Sequence, residues 1–184
     1  GPRRAPTCGA QGRGGARGTV RPCVRWPDKR LRSAAEPVGA VTETVRMIWD
    51  DMIETMDAMP GYGLAAPQIG MMLRLAVVDC SDKRGQAIRL ANPEILHASE
   101  QLRRHEEASP NLPGVSAVIE RPRAVTGRFL NDRGEVEDRD FVGLWATSVQ
   151  HQIDHLNGRM YFDHLSPLRR KMLTQKGEKL RKRP

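Results

Sequence analysis

In the stretch "SVQHQIDHLNG", residues 148 to 158, His151 and His155 stand four positions apart. On a helix this spacing puts both imidazoles on one face with their nitrogens close together, an arrangement that can hold Zn²⁺ or Fe²⁺. In the HExxH pattern, the glutamate between two such ligands takes and returns the proton of a metal-bound water. Here Gln152 occupies that position. An amide can orient a water by hydrogen bonding, but it takes up no proton. A histidine pair at this spacing is, on its own, more often surface or core than ligand, so the surrounding chain decides what it means.

The pair falls in a helical pattern running from about Leu144 to Leu156. Upstream, Val41, Val45, Ile48, Met52, Ile53 and Met56 recur at helical spacing until Pro60 and predict an amphipathic helix over about 40 to 58. Between the two helices, "RLAVVDC" and "QAIRLANPEIL" are short β-rich runs, with Cys80 expected as a buried strand thiol. A polar stretch follows and leads to "SPNLPGV". "RAVTGRFLN" and "VEDRDFVG" then read as two strands joined through Asn131, Asp132, Arg133 and Gly134, a hairpin signal. The layout predicts an α+β fold with antiparallel strands packed around a central helix that carries HxxxH.

Composition bounds the partners. The 184 residues carry a net charge of +8, concentrated at the ends. Residues 1 to 25 hold six arginines and no acid, and residues 169 to 184 contribute +7, leaving −5 for residues 26 to 168. A mildly acidic body argues against a dedicated nucleic-acid fold and gives no reason to expect DNA as a partner. Either basic end can touch ribosomal RNA or another polyanion. The Gly-, Arg- and Pro-rich residues 1 to 23 are expected to be a disordered tail, residues 24 to 168 one domain, and residues 169 to 184 a basic helix or tail. A mitochondrial presequence is a weaker reading of the arginines, because Gly and Pro spoil an amphipathic helix. No apolar run approaches the roughly 20 residues of a membrane span, and three cysteines make no disulfide framework. The expected location is cytoplasmic, with no membrane partner.

Three motifs carry a resemblance: "GYGLAAPQIG" at 61 to 70, "EASPNLPG" at 107 to 114 and "QHQIDHLNG" at 150 to 158. In their order and spacing they are similar to the signatures of the peptide deformylase family, and the similarity extends over roughly residues 24 to 170. The resemblance implies that family's fold and its reaction, hydrolytic removal of the formyl group from N-formylmethionyl nascent peptides. It also implies Fe²⁺ or Zn²⁺ held by two histidines and a cysteine. Position by position, the ligands fall on His151, His155 and Ser109, and the general base on Gln152. Gln68 matches the side-chain donor to the formyl oxygen, while Tyr62, Gly63 and Leu64 match the segment that pairs with the substrate backbone. Glu107 and Arg121 match a buried structural ion pair. Asp154 either salts the helix surface or orients a histidine.

Three positions depart from the family pattern. Ser109 replaces the cysteine, and a hydroxyl supplies neither the charge nor the softness of a thiolate. Gln152 replaces the glutamate; loss of proton transfer costs a factor of about 10² to 10⁴. Pro110 replaces a leucine whose backbone N–H stabilises the oxyanion, and proline has no N–H; such a loss costs about 10² to 10³. The leading expectation is a weak or inactive relative that binds N-terminal peptides of nascent proteins, with ribosome contact through its basic C-terminus. The alternative is an active metallohydrolase, a slow deformylase or other amidase, with water held by metal, Gln152 and Ser109. A purely structural partner protein is the third reading. Asn111 and Ser109 are expected to be able to hydrogen-bond a ligand.

Overall fold

The computed structural model describes residues 18 to 183. The first helix, α1 (Glu43–Ala58), starts where the Thr42 side chain accepts a hydrogen bond from the Val45 N–H, which caps the helix two to three residues later than its apolar periodicity alone suggests. Strands β1 (Gly63–Ala65), β2 (Leu75–Val78) and β3 (Ile88–Ala98) follow, then β4 (Leu102–Glu107), β5 (Ala117–Pro122), β6 (Ala124–Leu130) and β7 (Val136–Val142). The chain closes with α2 (Leu144–Leu156) and α3 (Pro167–Lys182). One antiparallel sheet runs β1-β2-β3-β6-β7, and β4 pairs with β5 in a second sheet of two strands. The α+β prediction holds.

Helices cover both faces of the β1-β2 end. Val45, Trp49, Met52 and Met56 of α1 pack on Leu64, Leu75 and Val77. Ala146, Val149 and Leu156 of α2 pack on Ala65, Ala76 and Val78, the alternate residues of the same strands. Double coverage explains why "LAVV" is apolar at every position and fully buried. The histidine-bearing helix is therefore held as a core element. A third cluster, with Leu31, Leu112, Met160, Tyr161 and Phe162, closes the end of the molecule below the histidines.

Several elements were expected. The β6–β7 hairpin turns at Asn131, whose side-chain oxygen accepts from the N–H groups of Arg133 and Glu135. The basic segment after Ser166, for which a helix or a tail was expected, forms a helix. Other elements were not visible in the sequence. The polar stretch after β3 is β4, whose Arg103 and Glu107 lie along one face of a two-stranded sheet. Cys80 lies two residues beyond β2 and is half-buried; the strand ends at Val78. The first 17 residues of the expected tail lie outside the described residues. From Gly18 the chain runs along α1, with the Thr19 N–H donating to Asp51 at 2.7 Å and the Arg21 N–H to Thr55 at 2.9 Å.

Candidate functional site

A cavity of about 410 Å³ lies where α2, the start of β1 and the loop after β4 converge. Its walls include Tyr62, Gly63, Gln68, Ser109, Pro110, His151 and Gln152, so the structure brings together residues that are up to 90 positions apart in sequence. Leu64, expected to contact substrate, has its side chain fully buried against α1; of β1 only Gly63 lines the cavity.

The α2 wall is ionic. Glu107 accepts from Arg121 twice, at 2.7 and 2.9 Å, and bonds His151 Nδ1 at 2.7 Å. Arg121 extends its other arm to Asp154 at 2.9 Å, and Asp154 bonds the exposed His164 at 2.7 Å. Asp154 thus belongs to a buried ion network rather than to the helix surface. Burial pushes the Glu107 carboxyl up, but the hydrogen bonds from His151 and Arg121 outweigh it and hold the group at about 2, so it stays ionised. The Tyr161 ring lies nearly parallel to His151, with centroids 6.0 Å apart. Neither Tyr161 nor His164 was singled out in the sequence. The aromatic pair Tyr161–Phe162 directly after the motif helix was the available signal.

His151 and His155 face each other, Nε2 to Nε2, at 3.1 Å. Burial, followed by the neighbouring His151, pushes His155 well below the ordinary 6.5, so its ring is neutral. His151 Nδ1 is bonded to Glu107, so the contact between the two rings runs through their Nε2 atoms. Ligation of an ion through both Nε2 atoms needs the His155 tautomer with its hydrogen on Nδ1. That nitrogen is buried and has no hydrogen-bond partner. Burying a donor without a partner costs about 1 to 3 kcal/mol.

The loop wall is neutral and closed. Ser109 Oγ donates to Asn111 Oδ1 at 2.9 Å, and Gln68 Nε2 donates to the same oxygen at 2.8 Å. Asn111 Nδ2 donates to the backbone carbonyls of Val24 at 2.7 Å and Gln68 at 3.0 Å. Gln68 Oε1 accepts from the Ala65 N–H at 2.9 Å. The expected ligand-binding pair Ser109 and Asn111 is therefore occupied with itself and with Gln68. Asn111 is fully buried and is the centre of this network. Among the described residues there is no cluster of three or more His, Cys, Asp or Glu side chains that could hold a metal ion. Cys80, the thiol next to Tyr62 and Ser148, does not line the cavity, and burial pushes its pKa to about 12. Two imidazoles bonded to each other and a hydroxyl turned to Asn111 do not fit a thiolate-dependent ion.

Gln152 completes the floor. The residue is 5% exposed, and its Oε1 is buried without a partner. Its Nε2 lies so near Gly63 that a Cβ there would sit 2.5 Å from it, so only glycine allows β1 to approach α2 this closely. Strand β1 is the sheet edge, and the Tyr62 carbonyl accepts from Asp79 on the β2 side. Alternation of an antiparallel ladder then turns the N–H and C=O of Gly63 to the free edge, towards the cavity.

An edge strand, a helical histidine pair and a cavity of about 410 Å³ between them define a groove that can take an extended peptide. The polypeptide deformylase model matches residues 20–171, most of the chain, and the chain belongs to that family. It is 43% identical over 165 residues to a peptide deformylase of Afipia carboxidovorans, covering 89% of this chain and 96% of that one. Its structure resembles the peptide deformylase of Ehrlichia chaffeensis with a TM-score of 0.84 at 31% identity, covering 89% of this chain and 97% of that one. It also resembles the Met-Ala-Ser-bound class I type b peptide deformylase of Acinetobacter baumannii, with a TM-score of 0.75 at 29% identity, covering 80% and 99%.

Proposed function

We propose that this chain is a peptide-binding relative of the metal-dependent deformylases that holds the N-terminal end of methionyl peptides without efficient hydrolysis. The observation that carries this reading is the shared commitment of Ser109 and Gln68 to Asn111 beside an open β1 edge. A peptide strand can add to Gly63 through backbone hydrogen bonds, while the groups that would serve hydrolysis are exchanged or bonded to one another. Gln152 cannot accept the proton of an attacking water, and Pro110 has no N–H for an oxyanion. The Met-Ala-Ser bound by the Acinetobacter relative supports a methionyl tripeptide as the ligand.

Site roles follow from this reading. Gly63 and Tyr62 pair with and flank the peptide, Gln152 contacts its first residue, and the His151–His155 pair is a structural remnant of the metal seat. The basic face of α3, with Arg169, Arg170, Lys171 and Lys179 exposed, is a contact for ribosomal RNA. No helix of the described residues is long and apolar enough to cross a membrane, and a cytoplasmic location near the ribosome fits the ligand.

Calorimetry tests the binding reading with Met-Ala-Ser, formyl-Met-Ala-Ser and the scrambled Ala-Ser-Met. At least one methionyl form is expected to bind tenfold better than the scramble; binding of neither form above it sinks the reading. Anaerobic turnover with added Fe²⁺, Ni²⁺ or Zn²⁺ tests the catalytic part, with a Ser109→Cys, Pro110→Leu, Gln152→Glu triple variant as positive control. Turnover in the triple variant alone is expected. The 43% identity to a named deformylase favours the competing reading of slow hydrolysis. That reading predicts turnover by the natural protein and stoichiometric metal after purification.

A further inference from the structure

Between Gly63 and the histidine pair the groove offers one free side-chain hydrogen-bonding group, and it is a donor. The side-chain acceptors at this end are engaged. Glu107 takes Arg121 and His151, Gln68 Oε1 takes the Ala65 N–H, Asn111 Oδ1 takes Ser109 and Gln68, and Ser109 Oγ takes the Asn111 N–H. Gln152 Oε1 is shielded inside the protein. Most donors are engaged as well: Gln68 Nε2 and the Ser109 hydroxyl give to Asn111, and the Ser148 hydroxyl gives to the Tyr62 carbonyl at 3.0 Å. The two histidines bond each other. Gln152 Nε2 remains. Its side chain lines the cavity while only 5% exposed, and the nitrogen makes no hydrogen bond to the described residues. A Cβ on Gly63 would lie 2.5 Å from it, so this donor stands beside the residue whose N–H and C=O form the open strand edge.

Ligand chemistry follows from that inventory. A peptide strand that pairs with Gly63 through the backbone of its first residue brings its amino terminus next to Gln152. A free, protonated terminus carries donors only; it meets another donor and finds no side-chain acceptor to replace its water. A formyl cap removes the charge and presents one carbonyl oxygen to the amide. A carboxylate is disfavoured, since Glu107 and Asp154 stand behind this end with the single guanidinium of Arg121 between them. We infer that Gln152 determines the specificity of the groove: its Nε2 donates to the carbonyl of a neutral N-terminal cap, so that the chain holds capped peptides and rejects their uncapped forms. The residue acts by giving a hydrogen bond, which an ionised glutamate at the same position cannot do. This inference rests on the peptide-binding reading above and assigns one residue to the choice between two chemical forms of the same peptide.

Calorimetry on the full chain compares formyl-Met-Ala-Ser, Met-Ala-Ser and the des-amino analogue, which carries neither cap nor charge. On the natural protein the formyl peptide is expected to bind about tenfold tighter than the free amine. Gln152→Leu keeps the volume and removes the donor. It is expected to weaken the formyl peptide about three- to tenfold, the range for one hydrogen bond between neutral groups, and to leave the des-amino peptide unchanged. Gln152→Glu exchanges the donor for a carboxylate, and is expected to weaken the formyl peptide at least as much while strengthening the free amine. A formyl peptide that binds the natural protein no better than the free amine or the des-amino analogue overturns the inference and leaves the peptide-binding reading intact; binding of none of the three overturns both. If Gln152→Leu weakens the formyl and des-amino peptides equally, the amide only shapes the groove and the inference is wrong.

Discussion

The two walls of the groove are built on different chemistry. The α2 wall is a chain of buried charges, running from His151 through Glu107, Arg121 and Asp154 to the exposed His164. The loop wall is a ring of neutral hydrogen bonds closed on Asn111, which leaves none of its side-chain donors for a ligand. The charged chain ends against a histidine and fixes where α2 stands; the neutral ring is built on the loop after β4. Charge and neutral bonding are thus carried by separate residues, and either wall can change without the other. Experiments that disturb one wall at a time should separate them.

The largest effect is expected at the charged wall. Arg121→Met leaves Glu107 and Asp154 buried without their cation, and removing one partner of a buried pair costs about 3 to 5 kcal/mol. Urea unfolding followed by circular dichroism reads it directly. A loss below about 1 kcal/mol would mean that the network does not position α2. At the loop wall, Asn111→Ala strands the Val24 carbonyl and releases the Gln68 amide, while the Gln68 carbonyl keeps the Val24 N–H at 2.9 Å. We expect a loss of about 2 to 4 kcal/mol in the same assay, since each buried unpartnered group costs about 1 to 3 kcal/mol and the costs are not additive. The two variants differ in their second effect. Freeing the Gln68 amide should raise affinity for a formyl peptide, whereas Arg121→Met should not. A rise in both would place the two walls in one cooperative unit.

The same division explains what the sequence disclosed. Helix α2 and its histidines were legible because their periodicity is local, and so was the β6–β7 turn, whose Asn131 bonds within its own loop. Motif order identified the family. What could not be read was the partner of each motif residue. Asn111 joins Val24 and Gln68, 87 and 43 residues away, and no periodic pattern records such a contact. Strand β4 escaped because "LRRHEE" alternates charged residues on both faces, with Glu107 its one buried position. The short edge strand β1 was not visible as a strand, since three residues of Gly, Leu and Ala carry no β signal.

A smaller effect is expected from behind the loop wall. Gly177 is the buried position of α3, and a Cβ there would lie 2.7 Å from Leu112, which follows Asn111. Gly177→Ala should therefore push α3 off the loop at a cost of about 1 to 3 kcal/mol, offset in part by the helix propensity of alanine. Thermal denaturation measures it. Peptide affinity should fall in this variant if the loop wall needs its brace, and an unchanged affinity would make α3 a separate attachment.

The last prediction concerns Cys80 and changes no stability. It tests whether the site has a thiolate after all. Burial raises the Cys80 pKa to about 12 from an ordinary 9.0, with Asp79 adding to the shift and Ser148 and the nearby arginines opposing it. The folded form therefore keeps its proton at every pH between about 9 and 12 at which the unfolded chain has lost it. At pH 8 the folded thiolate fraction should be lower by a factor on the order of 10² to 10³, because thiolate is the reactive species. In a Cys8→Ser, Cys23→Ser background, Ellman's reagent should react with Cys80 at least a hundredfold more slowly in the folded protein than in urea. A folded rate near the unfolded one would place an ionised sulfur beside Tyr62 and Ser148. The site would then hold a nucleophile that the loop wall lacks, and the division between a supporting wall and a closed one would have to be redrawn around β2.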